Sequence, residues 1–596
     1  MSDEKQVNES PFVVVGIDYG TTYSGAAWAK SGALDQVEVI SQWSSHTLGA
    51  TDSEKVPSDI AYNLSGIPCK WGFQVNADDN PFRWTKLLLT NRSLANMANS
   101  QENVLDNTRR LLKQYQKSAI DVIADYLKFL WKHILDRLQK RLTVPVLNNM
   151  LLKVVLTIPA IWDHSSQENM LAAARKAGID AYRTCGKTEI KLIAEPAAAA
   201  LATYVDSGLR VNPVVKAGDS FLVCDAGGGT VDLIGYTINS FEPFELRECD
   251  LCGAIYLDRA FKAHVTSFRP HLGKLDNEAE KRFMEKEWEY NLKRNFDGTD
   301  GQWVVELPQK EKKSRASALK AVFTEKKSNI LRLEGEHLRQ IFTNVVDKIV
   351  DLIRDQVEGI RQKTGKYPKV IILVGGFGEN RYLLQQVEEQ FKSTLYSSQQ
   401  ILIQQPSRAW SAVCRGAVHQ GAFGGRVVVN HVSKYSYGPM YSRAWVEGRF
   451  DKRDKVFSER WQEWHAEKQM NWYLRKHDDV SKIGSVEHNF DSLYRTAEEL
   501  ANTTFIIFYS DMEQPGSRLT AGIEELCTIK VHFETWQFAT SPVYRKYPGK
   551  EYRRVRSVLK MDVSVSSIQW SVSCNGEEIP VTVVYKDVNS AAQVPT

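Results

Sequence analysis

Residues Phe12-Val-Val-Val-Gly-Ile-Asp-Tyr-Gly-Thr-Thr22 open with an unbroken apolar run of strand length and close on a glycine-containing turn. A run without polar alternation marks a strand covered on both faces, and Tyr23-Ser-Gly-Ala-Ala-Trp28 reads as the strand that returns from the turn. The same pattern recurs 207 residues later (225 − 18): Phe221-Leu-Val-Cys224 runs into Asp225-Ala-Gly-Gly-Gly-Thr230, and Val231-Asp-Leu-Ile-Gly-Tyr236 continues. A duplicated strand, Asp–Gly turn and strand imply two related halves.

Between the copies, Ile120, Ile123, Ala124, Leu127, Leu130, Trp131, Ile134 and Leu138 fall at helical spacing, with charges on the other positions. Val154-Val-Leu-Thr-Ile158 reads as a strand, and Ser165 to Lys176 as a helix stopped before Gly178. The second half repeats the logic, with apolar positions from Leu338 to Val357 at helical spacing leading into the strand Val370-Ile-Ile-Leu-Val374. Alternating strands and long helices predict an α/β architecture. Beyond about Gly425 the period changes to two, notably on either side of Asn575-Gly576, a strong hairpin signal. The last 171 residues (596 − 425) therefore read as a mainly β module, with a helix expected within Lys455 to Lys476.

With 596 residues, 43% apolar and 25% charged, the chain has the usage of a folded protein of several domains and not of a disordered or fibrous one. Its 76 basic against 72 acidic side chains leave a net charge of +4, which gives no reason to expect nucleic-acid or membrane-surface partners. No apolar run reaches the roughly 20 residues that cross a bilayer, and the first ten residues lack a signal pattern, so the expected location is cytoplasmic, with the nucleus open. Eight irregularly spaced cysteines fit a reducing compartment.

Two Asp–Gly turns suggest chemistry. Glycine-rich turns present consecutive backbone N–H groups to phosphate oxygens, and threonine hydroxyls add donors. A carboxylate at the mouth of each would repel phosphate unless a divalent cation lay between, which makes Asp18 and Asp225 outer partners of a phosphate-bound Mg²⁺. A third cluster, Gly375-Gly-Phe-Gly378, follows a strand and precedes the helix starting at Arg381, a usual place for nucleotide to approach backbone. No Gly-x-x-x-x-Gly-Lys-Ser/Thr loop or kinase catalytic-loop signature competes.

Gly16-Ile-Asp-Tyr-Gly-Thr-Thr-Tyr-Ser24, Asp225-Ala-Gly-Gly-Gly-Thr-Val-Asp232 and Val374-Gly-Gly376 resemble the two phosphate motifs and the adenosine motif of the heat shock protein 70 ATPase domain, in the actin-like superfamily. Thr157-Ile-Pro-Ala-Ile-Trp162 and Ile193-Ala-Glu-Pro-Ala-Ala-Ala199 are similar to its intervening strand and connecting-helix motifs. The resemblance implies a duplicated actin-like (ribonuclease H-like) ATPase domain over 12–425, with lobe I about 12–210 and lobe II about 211–425. A disordered segment, 1–11, would precede it and a β-rich module, 426–596, would follow. It implies ATP or ADP with Mg²⁺, and K⁺ as a further ion. Asp18 and Asp225 match the metal-site aspartates. Gly20, Thr21, Thr22, Tyr23, Gly227, Gly228, Gly229 and Thr230 match the phosphate-binding turns, and Gly375, Gly376 and Phe377 the adenosine side. Lys86 matches the catalytic lysine, Glu195 the acid of the Glu-Pro motif, and Asp232 the aspartate that orients the attacking water.

The chain departs from the family's main branch at Phe377-Gly-Glu379, at Trp410 and at Cys252-Gly-Ala254. It also has only Val427-Val-Val429 where a longer linker is usual, and no helical period near its C-terminus. The whole resembles the divergent, lidless branch. The leading expectation is an ATP-hydrolysing chaperone-like protein in which nucleotide state biases the β-module, with unfolded client proteins as partners and cochaperones undecided. Alternatives are an ATP-sensing scaffold with little hydrolysis, and a sugar or glycerol kinase of the same superfamily. Cys249-Asp-Leu-Cys252 has no second pair for zinc, the basic residues Lys310 to Arg315 with Lys326-Lys327 read as a solvated face, and Trp472 reads as core.

Overall fold

The computed structural model describes residues 10–45, 49–90, 102–160, 162, 164–206, 218–228, 231–237, 247–248, 254–268, 277–308, 330–392, 401–406, 408–423, 433, 435–476, 478, 483–545, 551–563 and 568–586. Gly229, Thr230, Cys249, Cys252, residues 1–9, the basic residues at 310–315 and 326–327, and the linker Val427–Val429 lie outside them. The chain divides into two compact units, Met1–Val427 and Val428–Thr596.

In the first unit, β1 (Phe12–Tyr19) is buried along its whole length and turns into β2 (Tyr23–Lys30), its antiparallel neighbour. The short β3 (Val56–Pro57) lies on the far side of β2, pairing Tyr23 with Pro57 and Ser24 with Val56. After the helix α1 (Ala119–Leu142), β4 (Leu151–Ile158) runs parallel to β1. After α2 (His164–Lys176), β5 (Glu189–Ala194) runs parallel to β4 and passes directly into α3 (Glu195–Asp206). Ser118 and Asp121 cap α1 reciprocally, satisfying donors that would otherwise be orphaned at its first turn.

The second lobe repeats this order. β6 (Ser220–Ala226) pairs antiparallel with β7 (Val231–Thr237), and the helix α4 (Gly335–Thr364) leads into β8 (Val370–Val374), parallel to β6. The helix α5 (Arg381–Lys392) follows, and β9 (Leu402–Gln404) extends the sheet in parallel. Even the hairpin registers agree, since Asp18 stands opposite Gly25 and Asp225 opposite Asp232, each seven residues on.

Each central strand is covered on both faces, which is why the sequence there is apolar without alternation. Val13, Val15 and Ile17 face the core that contains Ile123, Leu127, Leu130 and Ile134 of α1. Leu222 and Cys224 share the second lobe's core with Phe342, Ile349 and Ile353 of α4. The opposite faces meet α3 and the last helix of the unit, α6 (Ala412–Phe423), which packs on β1, β2 and β4 while α3 reaches β6 and β7. A Cβ on Gly416 would overlap the Ala198 carbonyl, so α3 and α6 cross backbone against backbone. The small residues Ala197, Ala198 and Ala199 and Gly416 permit that approach.

The second unit holds two antiparallel sheets. One is ordered β11 (Lys455–Ser458), β12 (Glu463–Met470), β10 (Ser436–Ala444), β14 (Thr504–Ser510), β15 (Glu524–Val531) and β19 (Val581–Tyr585). The other is ordered β13 (Ser485–Tyr494), β16 (Tyr552–Val563), β17 (Ile568–Cys574) and β18 (Glu577–Ile579). Ile507 and Ile529 from the first share one core with Leu559, Met561 and Val572 from the second. Asn575 and Gly576 adopt φ of 53° and 84°, as the two central residues of a type I′ hairpin turn require.

The helix expected within Lys455 to Lys476 is not there; the segment forms β11 and β12. In β12 the buried positions are His465, Ala466, Gln469 and Met470, a spacing of four that imitates a helix face. The cause is Lys468, whose φ of 58° breaks the alternation of a regular strand. Trp472 is half-buried, and its Nε1 donates to the Gly516 carbonyl at 2.8 Å.

Candidate active site

The strand ends of both lobes and the first turn of α3 bring the expected residues together in the first unit. Asp18, at the end of β1, is 4% exposed. Its Oδ1 accepts from Thr157 Oγ1 on β4 at 3.1 Å, and its Oδ2 lies 2.6 Å from Lys55 Nζ. Burial alone would raise the Asp18 pKa, but the ammoniums of Lys55 and Lys86 outweigh it and hold the carboxyl below the usual range.

Lys86 sits in a short 3₁₀ turn, Thr85–Leu88, entered through Trp84 with φ of 55°. Its ammonium pairs with the Glu195 carboxylate and stands 5.8 Å from the centre of the Trp162 ring. Both residues are buried. Burial pushes the Glu195 carboxyl up against the pull of Lys86, with Asp18 adding to the rise.

On the opposite lobe Asp225 faces Asp232 across the β6–β7 hairpin. Burial, then Glu195 and Asp232, lift the Asp225 pKa well above the ordinary carboxylate value. A Cβ on Gly375, whose φ is +88°, would overlap the Asp225 carboxylate, and the Phe377 and Gly378 N–H groups donate to the Ala226 carbonyl at 2.9 and 3.2 Å. The third glycine cluster is thus folded over the second Asp–Gly turn. The two duplicated turns also meet: a Cβ on Gly228 would overlap the Thr22 hydroxyl.

Phe377 places its ring in the lobe II core, 6.2 Å from Phe342, so only its main chain is available to a ligand. Gly376 lies beneath Trp410, whose indole meets the Tyr23 ring at 5.6 Å and the Arg294 guanidinium at 4.4 Å. The Trp410 main-chain N–H donates to Glu379 Oε1 at 2.8 Å. Gly20 and Thr21 lie in the first turn, and Gly227 follows Asp225 in the second, its carbonyl accepting from Ala254 N at 3.2 Å. Gly229 and Thr230 lie outside the described residues.

Residue-type reading missed Lys55 and Arg294. No local pattern marks Lys55; only the pairing of β3 with β2 carries it to Gly25, where a Cβ would stand 3.1 Å from its Cγ.

Asp18, Glu195, Asp225 and Asp232 gather around Lys55 and Lys86, and burial and their mutual repulsion push the Glu195 and Asp225 carboxyls up, so the cleft favours a cation beside them. Among the described residues no three His, Cys, Asp or Glu side chains converge to hold a metal by themselves. Acids at the ends of two strands fit a hydrated cation, since Mg²⁺ keeps most of its waters and is held through few carboxylates.

A profile described as Hsp70 protein matches residues 14–460, taking in this entire site. The chain belongs to the Hsp70 family. Its actin-like ATPase fold accounts for the repeated lobes, and the Hsp70 match extends beyond Val427 into the second unit. Similar proteins include the Chaperone protein HscA of Proteus mirabilis, 29% identical over 231 residues, which is 37% of this chain and 32% of HscA. This chain thus spans about a third of the length of that Hsp70 relative. Human heat shock 70 kDa protein 12B is 22% identical over 517 residues, 73% of this chain and 72% of its own, and mouse heat shock 70 kDa protein 12A is 22% identical over 535 residues, 75% of each. These two divergent Hsp70 relatives are matched along most of their length.

Proposed function

We propose that the chain binds and hydrolyses ATP as an Hsp70-type, Mg-dependent ATPase, and that its nucleotide state biases the C-terminal β-module. The observation that carries this reading is the meeting of Thr22 with Gly228, beside a lysine-paired glutamate and two strand-end aspartates. Backbone N–H groups of both turns would hold phosphate oxygens, with Gly20, Thr21, Thr22 and Tyr23 on one side and Gly227, Gly228, Gly229 and Thr230 on the other. Gly375, Gly376 and the Phe377 main chain would take the nucleoside side.

Lys86 would offer its ammonium to charge developing on the terminal phosphate, while Glu195 holds that ammonium in place. Asp232 would orient the attacking water. Asp18 and Asp225 are the residues that would hold the water shell of Mg²⁺; the ion supplies positive charge against the phosphate oxygens. A K⁺ ion would find the same carboxylates.

Millimolar Mg-ATP should raise the melting midpoint by mass action, by about 2.7 kcal/mol at 100 times the dissociation constant. An unchanged midpoint would sink the nucleotide reading. Phosphate release in single turnover separates an ATPase from an ATP-sensing scaffold. The scaffold remains the second reading because the Trp410 indole lies against Gly376, on the side a nucleoside would take, and carries the Arg294 guanidinium on its ring. Unfolded proteins would be the clients, in line with the chaperone name of HscA, and stimulation of phosphate release by a panel of them tests this. Hydrogen exchange over residues 424–434, compared between ATP and ADP, tests the coupling; equal protection in both states would leave the scaffold ahead. Among the described residues no helix is long and apolar enough to cross a membrane, and a cytoplasmic location is part of the proposal.

A further inference from the structure

The second unit places a serine, a histidine and a glutamate in one chain of hydrogen bonds, none of which the nucleotide reading uses. Ser442 Oγ lies 3.1 Å from His465 Nδ1, and His465 Nε2 lies 3.3 Å from Glu463 Oε1. Glu463 and His465 are two positions apart in β12, so both project from one face of the sheet. Ser442 comes to that face from β10 at an irregularity. Tyr441 pairs with Gln469 and Arg443 with Ala466, so Glu467 and Lys468 of β12 together oppose Ser442. Lys468, with φ of 58°, takes up the extra residue. A bulge of this kind re-aims a side chain.

The chemistry follows from which groups can donate. A carboxylate only accepts, so the Nε2 that faces Glu463 carries the ring proton. Nδ1 then keeps its lone pair and accepts from the Ser442 hydroxyl. The imidazole is 8% exposed, with the Trp461 indole alongside it at 6.3 Å and 22°, whereas Ser442 is open to solvent. A sheltered base that accepts from an exposed hydroxyl is the arrangement that activates a serine. Val456, directly opposite His465 in β11 and 40% exposed, offers apolar surface on the same face. Among the described residues β10 pairs with β14 only through Ser436–Pro439, so its edge beside Ser442 has no strand neighbour on that side.

We propose that Ser442 is a nucleophile toward small carboxylic esters with a short apolar acyl group, with His465 as its general base and Glu463 as a positioning residue. Ser442 Oγ attacks the carbonyl carbon, and its proton passes to His465 Nδ1. The bond from that carbon to the alcohol oxygen breaks, and the departing oxygen takes the proton. Water then attacks the acyl-serine through the same nitrogen, releasing the acid and restoring the Ser442 hydroxyl. Ester and water become alcohol and acid.

The test is reaction of the full-length chain with a fluorophosphonate probe, mapped by peptide mass, alongside release of nitrophenol from p-nitrophenyl acetate. The folded protein should carry the label on Ser442, and the urea-unfolded protein should not. Ser442→Ala should lose both the label and the release above background. His465→Gln should react at least about a hundredfold more slowly, the usual worth of a general base. Glu463→Gln should slow the reaction at an unchanged melting midpoint, because an amide can hold the wrong imidazole tautomer; an unaltered rate would strike the positioning role. A folded chain unlabelled at Ser442, or labelled there as fast in His465→Gln as in wild type, overturns the inference. If His465→Gln does not melt cooperatively, the comparison of folded with unfolded wild type decides, and equal labelling of the two overturns it.

Discussion

The carbonyl oxygen of Cys414 occupies the space that a Cβ on Gly16 would need, and the Val418 N–H and Ala417 methyl close the same space at 2.9 Å. Helix α6 therefore rests on the backbone of β1 two residues before Asp18, with nothing larger than the Ala417 methyl between. Gly16→Val should destabilise the first unit by about 3 kcal/mol through overpacking, read from the urea midpoint. Gly32→Ala is the control. There the added methyl meets nothing within 4 Å, and only the φ of +87° is unfavourable, a cost of about 1 kcal/mol. Equal effects of the two substitutions would refute the close approach.

Lys86→Met should act twice. It leaves the Glu195 carboxyl buried without its ammonium, and breaking a buried pair in this way typically costs about 3–5 kcal/mol if the acid stays charged, less once it takes a proton. It should also slow single-turnover phosphate release while ATP affinity stays within about tenfold, because charge that counts in the transition state lowers turnover more than binding. Wild-type turnover in the variant would remove the lysine from the chemistry.

Asp225→Asn should abolish most of the Mg²⁺ dependence of hydrolysis and leave folding intact. The amide keeps the shape beside Gly375, and the apo carboxyl is already pushed toward its neutral form by burial and by Glu195 and Asp232. Circular dichroism melting together with a Mg²⁺ titration of phosphate release checks this. A lowered melting point with unaltered Mg²⁺ response would contradict it.

His133 lies on the Trp43 ring at 5.0 Å and edge-on to Trp71 at 5.9 Å. Burial, and then the Arg137 guanidinium, lower its pKa from 6.5. Above that pH the imidazole is neutral in both folded and unfolded chains. As pH falls below 6.5 the unfolded chain takes up the proton first, so stability declines until the folded-state value is passed. His133→Gln should flatten this part of the stability–pH curve of the first unit, measured as melting midpoints from neutral pH down to about 5. Parallel curves for the two proteins would exclude the effect.

The α/β pattern was legible because strands covered on both faces carry unbroken apolar runs, as Phe12–Ile17 in β1, Phe221–Cys224 in β6 and Val370–Val374 in β8 do. Helices α1 and α4 were legible because one face meets a core and the other meets water. The Asp–Gly turns announced themselves by repetition. The Lys86–Glu195 pair joins residues 109 positions apart, and only a family resemblance could suggest it. Lys55 carried no signal, since its meaning depends on a two-residue strand pairing and on the emptiness at Gly25. In β12, one left-handed residue turned a strand's burial pattern into a helix's.

The placement of α6 has a consequence for how the protein is made. β4 ends at Ile158 and α6 begins at Ala412, 254 residues later (412 − 158). At roughly 5–20 residues per second, a ribosome needs about 13–50 s to bridge that gap. Throughout it, the Val14 and Val155 side of the first sheet has left the exit tunnel without the helix that covers it. A member of a chaperone family is, during its own synthesis, a sticky half-finished chain waiting for the helix that closes its first unit.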